Sequence, residues 1–355
     1  MKNIYKYFLA ILLVAYFTLP INEALAGNKD RSGQAGASEL LINPWARSSG
    51  WGGVNVSNVR GLESMFSNVA GIAFTQHTEL IFSNTQWLKG SDININNFGV
   101  TSKVSESGVL GISIMSMRFG DIEITEVNNP EGGIGTFSPN YLNIGVAYAK
   151  AFSNSIYGGI NFKIISEVIS DVSAMGVAID AGIQYVTGET ENIKFGIALK
   201  NIGPTMRFRG DGLSIRVPSP NGSGEYTVEQ RSADFELPSQ LNIGAAYDIH
   251  LAEEHLLTLA GSFTSNSFTK DQFTAGLQYD MKSYLMLRGA YTYEEGIDKK
   301  VTNPERSNAS KGLSGGITVQ VPFNKERGSS FAVDYSYRAT DNFDGTHSIG
   351  ARINF

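Results

Sequence analysis

Cysteine is absent from all 355 residues. That absence removes disulfides, thiolate nucleophiles, zinc-thiolate sites and a lipidated cysteine anchor together. Charge is also scarce. Charged residues make up 17% of the chain and the net charge is -6, so the basic footprint of a nucleic-acid-binding protein is missing and no nucleic-acid partner is expected. Beyond the first twenty residues no uninterrupted apolar run is long enough for a spanning helix. If this chain crosses a bilayer, it does so with strands.

Groupings of residues that could carry chemistry are equally sparse. Of the four histidines, only His250 and His255 lie close together, and across a turn they read as solvated loop rather than as metal ligands. The stretch "GGIGTF" (132–137) sits in a loop and not between a strand and a helix, so it fails the context for phosphate binding. The "GDG" at 210–212 lacks the acidic ligands that would follow in a calcium loop, and Glu294 with Glu295 reads as a solvated loop edge. No catalytic residue, metal or cofactor is expected, and no enzyme.

What the chain does have is a processed beginning and a long alternating remainder. Lys2 and Lys6, the apolar stretch 8–19 and the small-x-small pattern Ala24, Leu25, Ala26 predict a secretory signal over 1–26, cleaved before Gly27. Glycine (39), phenylalanine (20) and tyrosine (15) are abundant, a composition suited to pleated strands and tight turns. From residue 79 to 355, stretches of roughly ten residues alternate apolar with small or polar side chains and end in turns. "YLNIGVAY" (141–148) and "QLNIGAAY" (240–247) are two of fourteen such stretches, counting one over 93–104 whose phase slips at Asn96 and Asn97, read as a bulge.

The faces opposite the apolar ones hold Asp180, Gln184, Lys194, Lys200, Asp248, Gln278, Asp280, Arg288, Asp334, Arg338 and Arg352. A soluble sandwich would alternate in the same way, so the connections decide. The long ones (120–138, 203–238, 294–311) follow the third, seventh and eleventh strands, whereas the connections after even-numbered strands are short. Tyrosines fall near the lower ends of descending strands and the upper ends of rising ones. Both features predict an all-β, 14-stranded antiparallel transmembrane β-barrel in the outer membrane of a Gram-negative bacterium, with outer-membrane lipid around it. The ending "THSIGARINF" puts Ile349, Ala351, Ile353 and Phe355 on one face. Ile349, Ile353 and Phe355 then read as the closing strand, which pairs with the first to abolish sheet edges.

Residues 27–78 do not alternate, and their apolar content argues against a disordered leader. They are expected to form a luminal plug or hatch, with short helices at 37–42 and 61–66 and a turn at Gly50, Gly52 and Gly53. Leu41, Ile42, Pro44, Trp45, Arg47, Gly50, Trp51, Gly53 and Asn68 are the candidate plug residues. Within this segment "LLINPWARSSGWGGVNVS", followed by "MFSNVAGIAF", resembles the amino-terminal signature of the PorV/PorQ family of Bacteroidota, although Asn68 is followed by Val69 where the family has a proline.

That resemblance implies a barrel and plug like those of FadL-type transporters and a part in type IX secretion. The expected partners are then exported cargo proteins with C-terminal signal domains, together with translocon or attachment-complex subunits. The loop 203–238, with Met206, Phe208, Leu213, Ile215, Val217, Tyr226 and Phe235, is either a cargo-binding surface or a lid folded over the mouth. The alternative function is a FadL-like conduit for hydrophobic small molecules, and a third reading is a structural subunit of a surface complex.

Overall fold

The computed structural model describes residues 31–355 apart from 223 and 325–328. The expected signal residues Ala24, Ala26 and Gly27 lie outside the described residues. Eighteen strands follow in chain order: β1 (Thr78–Trp87), β2 (Ile93–Lys103), β3 (Gly108–Arg118), β4 (Ile122–Glu123), β5 (Thr136–Phe137), β6 (Asn140–Ala151), β7 (Ile156–Ile169), β8 (Val172–Thr187), β9 (Ile193–Ile202), β10 (Ser214–Pro218), β11 (Glu225–Glu229), β12 (Gln240–Ala252), β13 (His255–Asn266), β14 (Gln272–Met281), β15 (Leu285–Glu294), β16 (Ser310–Asn324), β17 (Ser329–Thr340) and β18 (Thr346–Asn354). Fourteen of them close an antiparallel barrel, while β4–β5 and β10–β11 are two-stranded ribbons within the long loops.

Closure is made by β1 with β18, in register from Glu79 opposite Asn354 to Gln86 opposite His347. The Phe355 N–H donates to the Thr78 carbonyl at 3.0 Å. In hydrocarbon each unpaired backbone group costs several kcal/mol, so the last strand is held where the first would otherwise present an edge. Ile349 on β18 and Phe355 just past its end are exposed, and Ile353 falls on the same face.

Alternation is kept along most strands because the two faces meet different solvents. Outward side chains such as Ile183, Ile197, Leu277, Leu313 and Val319 are exposed apolar groups, while Asp180, Gln184, Lys194, Asp248, Asp334 and Arg352 point inward and are buried. The bulge expected at Asn96 and Asn97 does not exist. β2 pairs with β1 without interruption from Ile93 to Ser102, with Ile95, Asn97, Gly99 and Thr101 inward and Asn94, Asn96 and Phe98 outward. The apparent slip arises because polar side chains occupy the outward face at this end of the strand.

A real bulge lies elsewhere. Between Ile179 and Ala181 of β8 the register with β9 shifts, and Asn201 takes φ +59°. The shift turns both Lys200 and Asn201 inward. There Asn201 accepts from Lys163 Nζ at 2.8 Å, donates its N–H to Asp180 at 2.8 Å and donates its amide to the Pro238 carbonyl at 3.0 Å. This fixes the root of the long loop 203–239.

Residues 38–74 form one short helix, α1 (Ala46–Gly50), and 3-10 turns at Ser38–Leu41, Val54–Ser57, Leu62–Phe66 and Val69–Phe74. The helix therefore lies where the sequence suggested a glycine turn. The turn itself falls on Gly52 and Gly53, at φ +61° and +76°, values glycine adopts without steric cost. All of these turns pack against inward-facing strand residues. A Cβ on Gly50 would lie 2.9 Å from the Gly316 Cα, so the helix backbone approaches β16 directly.

Candidate ligand cavity at the long-loop end

Three groups of contacts set the floor of the barrel mouth. Trp45 is buried edge-on against Phe66 at 6.1 Å, and the Pro44 carbonyl accepts from Ser83 Oγ at 2.8 Å. Trp51, Val54, Ala246, Ala260 and Ala290 form a small apolar cluster of their own. Asn68 caps the following turn by accepting from the Ala70 N–H at 3.2 Å, and its amide donates to the carbonyls of Val56 at 2.9 Å and Ile183 at 3.0 Å. One asparagine thereby joins two turns of the segment to the β8 wall.

Charge holds the same segment to the closing strands. Arg47 Nε lies 3.1 Å from Asp334 and 3.6 Å from Glu63. Arg352 of β18 pairs with Glu63 and with Glu79 of β1. Glu63 also accepts from Ser48 Oγ at 2.6 Å, and Glu79 accepts from the Leu62 N–H at 2.5 Å. Every carboxylate in this group is buried and every one has a cation and a further donor, the condition under which buried charge is tolerated.

Above this floor lies a cavity of about 480 Å³, within the range of small-molecule sites. One wall is apolar, built from Leu41, Ile42, Trp87, Ile93, Met117 and Phe119; the other is polar, built from Gln240, Asn266, Gln272, Thr292, Glu294 and Arg338. Glu294 is occupied by donors from Gln272 at 2.8 Å, Asn308 and Ser307. Glu39, from the first turn, also lines the cavity, and burial raises its carboxyl pKa above the usual carboxylate range. Loop 295–309 forms part of the rim, with Arg306 donating to the carbonyls of Lys299 at 2.6 Å and Ser310 at 2.8 Å and pairing with Asp341 at 2.5 Å. A second recess, about 640 Å³, lies on the lipid-facing wall between Phe195 and Tyr293, where small outward residues such as Gly261 leave room for hydrocarbon.

Of the candidate plug residues, Leu41 and Ile42 reach the cavity with their neighbour Gly52. Pro44, Trp45, Arg47, Gly50, Trp51 and Asn68 lie in the floor or its attachments, and a Cβ on Gly53 would meet no atom within 4 Å. The loop candidates divide. Met206 is buried in the main core and Phe208 and Phe235 pack against it, the two rings 5.6 Å apart, while Ile215 and Tyr226 stand exposed on the β10–β11 ribbon, with Leu213 and Val217 half-buried. Sequence reading places Arg338 on the polar face and Glu294 at a solvated loop edge, whereas Glu294 is buried, and it does not join them into a wall. The wall's residues come from the ends of different strands, and the only signal was a polar side chain at an inward phase near the long-loop rim.

No family model matches this sequence, and no curated protein matches it either. Solved structures do match over 88% of the chain. The Pseudomonas putida toluene transporter TodX aligns at 13% identity over 97% of its own length with a TM-score of 0.55. The CymD monoaromatic hydrocarbon channel aligns at 13% identity over 97% with a TM-score of 0.51, and a Pseudomonas aeruginosa FadL homologue at 10% identity over 98% with 0.50. At such identities the likeness is one of fold. With its closed wall and apolar exterior, the chain is a transmembrane barrel of the Gram-negative outer membrane.

These findings correct the expected PorV/PorQ membership, because neither a family model nor a sequence match supports it and the structural neighbours are hydrocarbon channels and transporters. The type IX role falls with it, as do exported cargo with C-terminal signal domains and translocon or attachment subunits as partners. The physical reason is visible in the loop read as a cargo surface: Met206, Phe208 and Phe235 turn inward and cover one another.

Proposed function

We propose that this protein is an outer-membrane conduit for small hydrophobic molecules, with the mouth cavity as its first binding site and the segment 38–74 as the hatch beneath it. The observation that carries the reading is the apolar wall of Leu41, Ile42, Trp87, Ile93, Met117 and Phe119, which faces a space bordered by the loop 295–309. An apolar solute gains about 25 cal/mol for each Å² it removes from water there. Titratable groups at the site serve to position and to solvate, and passage requires no covalent step. That similar barrels are named as toluene and monoaromatic hydrocarbon carriers supports the same solute class.

The test is entry of radiolabelled toluene into proteoliposomes, beside equilibrium binding of a fluorescent naphthylamine. Leu41→Asp and Trp87→Ala should each lower binding by roughly tenfold, the equivalent of about 1.4 kcal/mol, in barrels that still show folded gel mobility. Parent and variants that take up and bind the probes equally would rule the cavity out.

A further inference from the structure

The outward face of the barrel is apolar nearly all the way round, except at the long-loop end of β1, β2, β3 and β6. β16 presents Leu313, Ile317, Val319, Val321 and Phe323 to lipid, and β8 presents Met175, Val177, Ile179, Ile183 and Tyr185. β1 presents only Leu80 and Phe82 before Asn84 and Gln86, and β2 begins with Asn94 and Asn96 outward before Phe98.

Register shows that these polar residues form rows. Gln86 pairs with Asn94, Asn94 with Arg118 and Arg118 with Asn140. One step nearer the membrane centre, Asn84 pairs with Asn96, and Asn96 with Ser116. Continued the other way from Gln86, the first row reaches His347 and then Tyr337. Tyr335 and Tyr337 belong to the outward aromatic belt, which marks headgroup depth. The amide rows therefore lie beside lipid headgroups, on a stretch of wall whose apolar band is short.

Arg118 stands exposed in the middle of the first row, and it has no hydrogen bond or ion pair among the described residues. The carboxylates nearest in sequence, Asp121 and Glu123, lie in the loop beyond the strand end and neither pairs with Arg118, and Asp121 accepts from Ser138. Amides supply both donors and acceptors, as a sugar ring requires, and a guanidinium matches a phosphate bidentately.

We propose that this face docks a phosphorylated, multiply acylated disaccharide lipid of the outer leaflet, its phosphate on Arg118, its sugars on Gln86, Asn94 and Asn140, and its chains over Phe82, Phe98 and Ile114. The site is independent of whatever passes through the lumen.

The probe is lipid A with both phosphates, compared with lipid A stripped of phosphate and with phosphatidylglycerol, each titrated into the detergent-folded full chain. Bound copies are counted by native mass spectrometry. The parent should retain the phosphorylated form, Arg118→Gln should lower its retention roughly tenfold, and Asn94→Leu with Asn140→Leu should lower it as well. Lys150→Gln, an exposed position at the opposite rim, should leave retention unchanged. The proposal is overturned if the parent holds the three lipids equally, if Arg118→Gln retains as much as the parent, or if the leucine variants instead abolish a dimer, which would make the face a contact between copies. All of these side chains point outward, and heat-modified gel mobility verifies that each variant is folded.

Discussion

Arg352 sits where three parts of the chain meet: its own strand β18, Glu79 on β1 and Glu63 in the segment beneath the mouth. All three side chains are buried. Removing the cation leaves two carboxylates in a site with little water, a change that typically costs about 3–5 kcal/mol. Arg352→Met should therefore lower the urea midpoint of the folded barrel sharply, and adding Glu63→Gln and Glu79→Gln should recover part of the loss because neutral amides need no cation. An Arg352→Met barrel as stable as the parent would show that the network does not hold the closure. Glu39 carries a different signature. Burial raises its folded-state pKa, so the folded chain binds the proton more tightly than the unfolded chain does. Its contribution to stability is then present when protonated and is lost as pH rises from the ordinary carboxylate range through the raised value. Glu39→Gln keeps the neutral form at every pH. The melting temperature of the parent should accordingly fall relative to that variant as pH rises above the ordinary carboxylate range. A constant difference across that rise would mean that the fold does not favour the protonated carboxyl.

At the level of elements, strands were legible because one face of each meets lipid and the other meets buried polar groups, so residue type alone reports direction. Asn96 and Asn97 misled because that rule weakens at headgroup depth, where amides are also at home. The bulge at Lys200 and Asn201 was invisible because its partners, Lys163, Asp180 and the Pro238 carbonyl, come from distant parts of the chain. The same holds for the cavity. Leu41 and Ile42 are expected in the plug and not at a cavity, because Gln240, Gln272 and Arg338 come to face them only when the barrel closes. Loop 203–239 shows the limit of composition most clearly, since its apolar residues could equally have faced outward. In the structure Met206 and Phe235 exchange backbone hydrogen bonds at 2.9 Å, the β10–β11 ribbon projects beyond them, and Arg31 reaches Glu236 at 2.5 Å. Shortening the ribbon by replacing 214–229 with a glycine-serine turn should leave thermal stability almost unchanged. Met206→Asp, which puts a charge into the core, should destabilise by several kcal/mol. Equal losses from both changes would mean that the ribbon is part of the fold's support.

For the whole molecule, the proposed conduit raises the question of how a solute would pass a floor that is both packed and charge-latched. The latch joins Arg47, Glu63, Asp334 and Arg352 on the side of β1, β17 and β18, whereas the neighbouring arc of wall from β12 to β15 meets Trp51 with the small residues Ala246, Ala260, Gly276 and Ala290. Passage is therefore expected on the small-residue side, where the strand residues facing the indole are alanine and glycine, while the latched side stays fixed. Filling that side should obstruct transport without disturbing the latch. A Cβ on Gly276 would already meet the Trp51 ring at 2.7 Å, and Ala290→Leu adds bulk beside Gly52 at a point where 3.2 Å now separates a Cβ there from the Ala290 methyl. Ala290→Leu should thus cut toluene entry severalfold while leaving naphthylamine binding at the mouth near the parent value, since Leu41 and Trp87 are untouched. Trp51→Ala should do the reverse, raising entry and the ionic conductance of single barrels in a planar bilayer. If Trp51→Ala barrels conduct no better than the parent, and Arg47→Ala barrels do, the path lies on the latched side and the fixed and moving halves of the floor exchange roles.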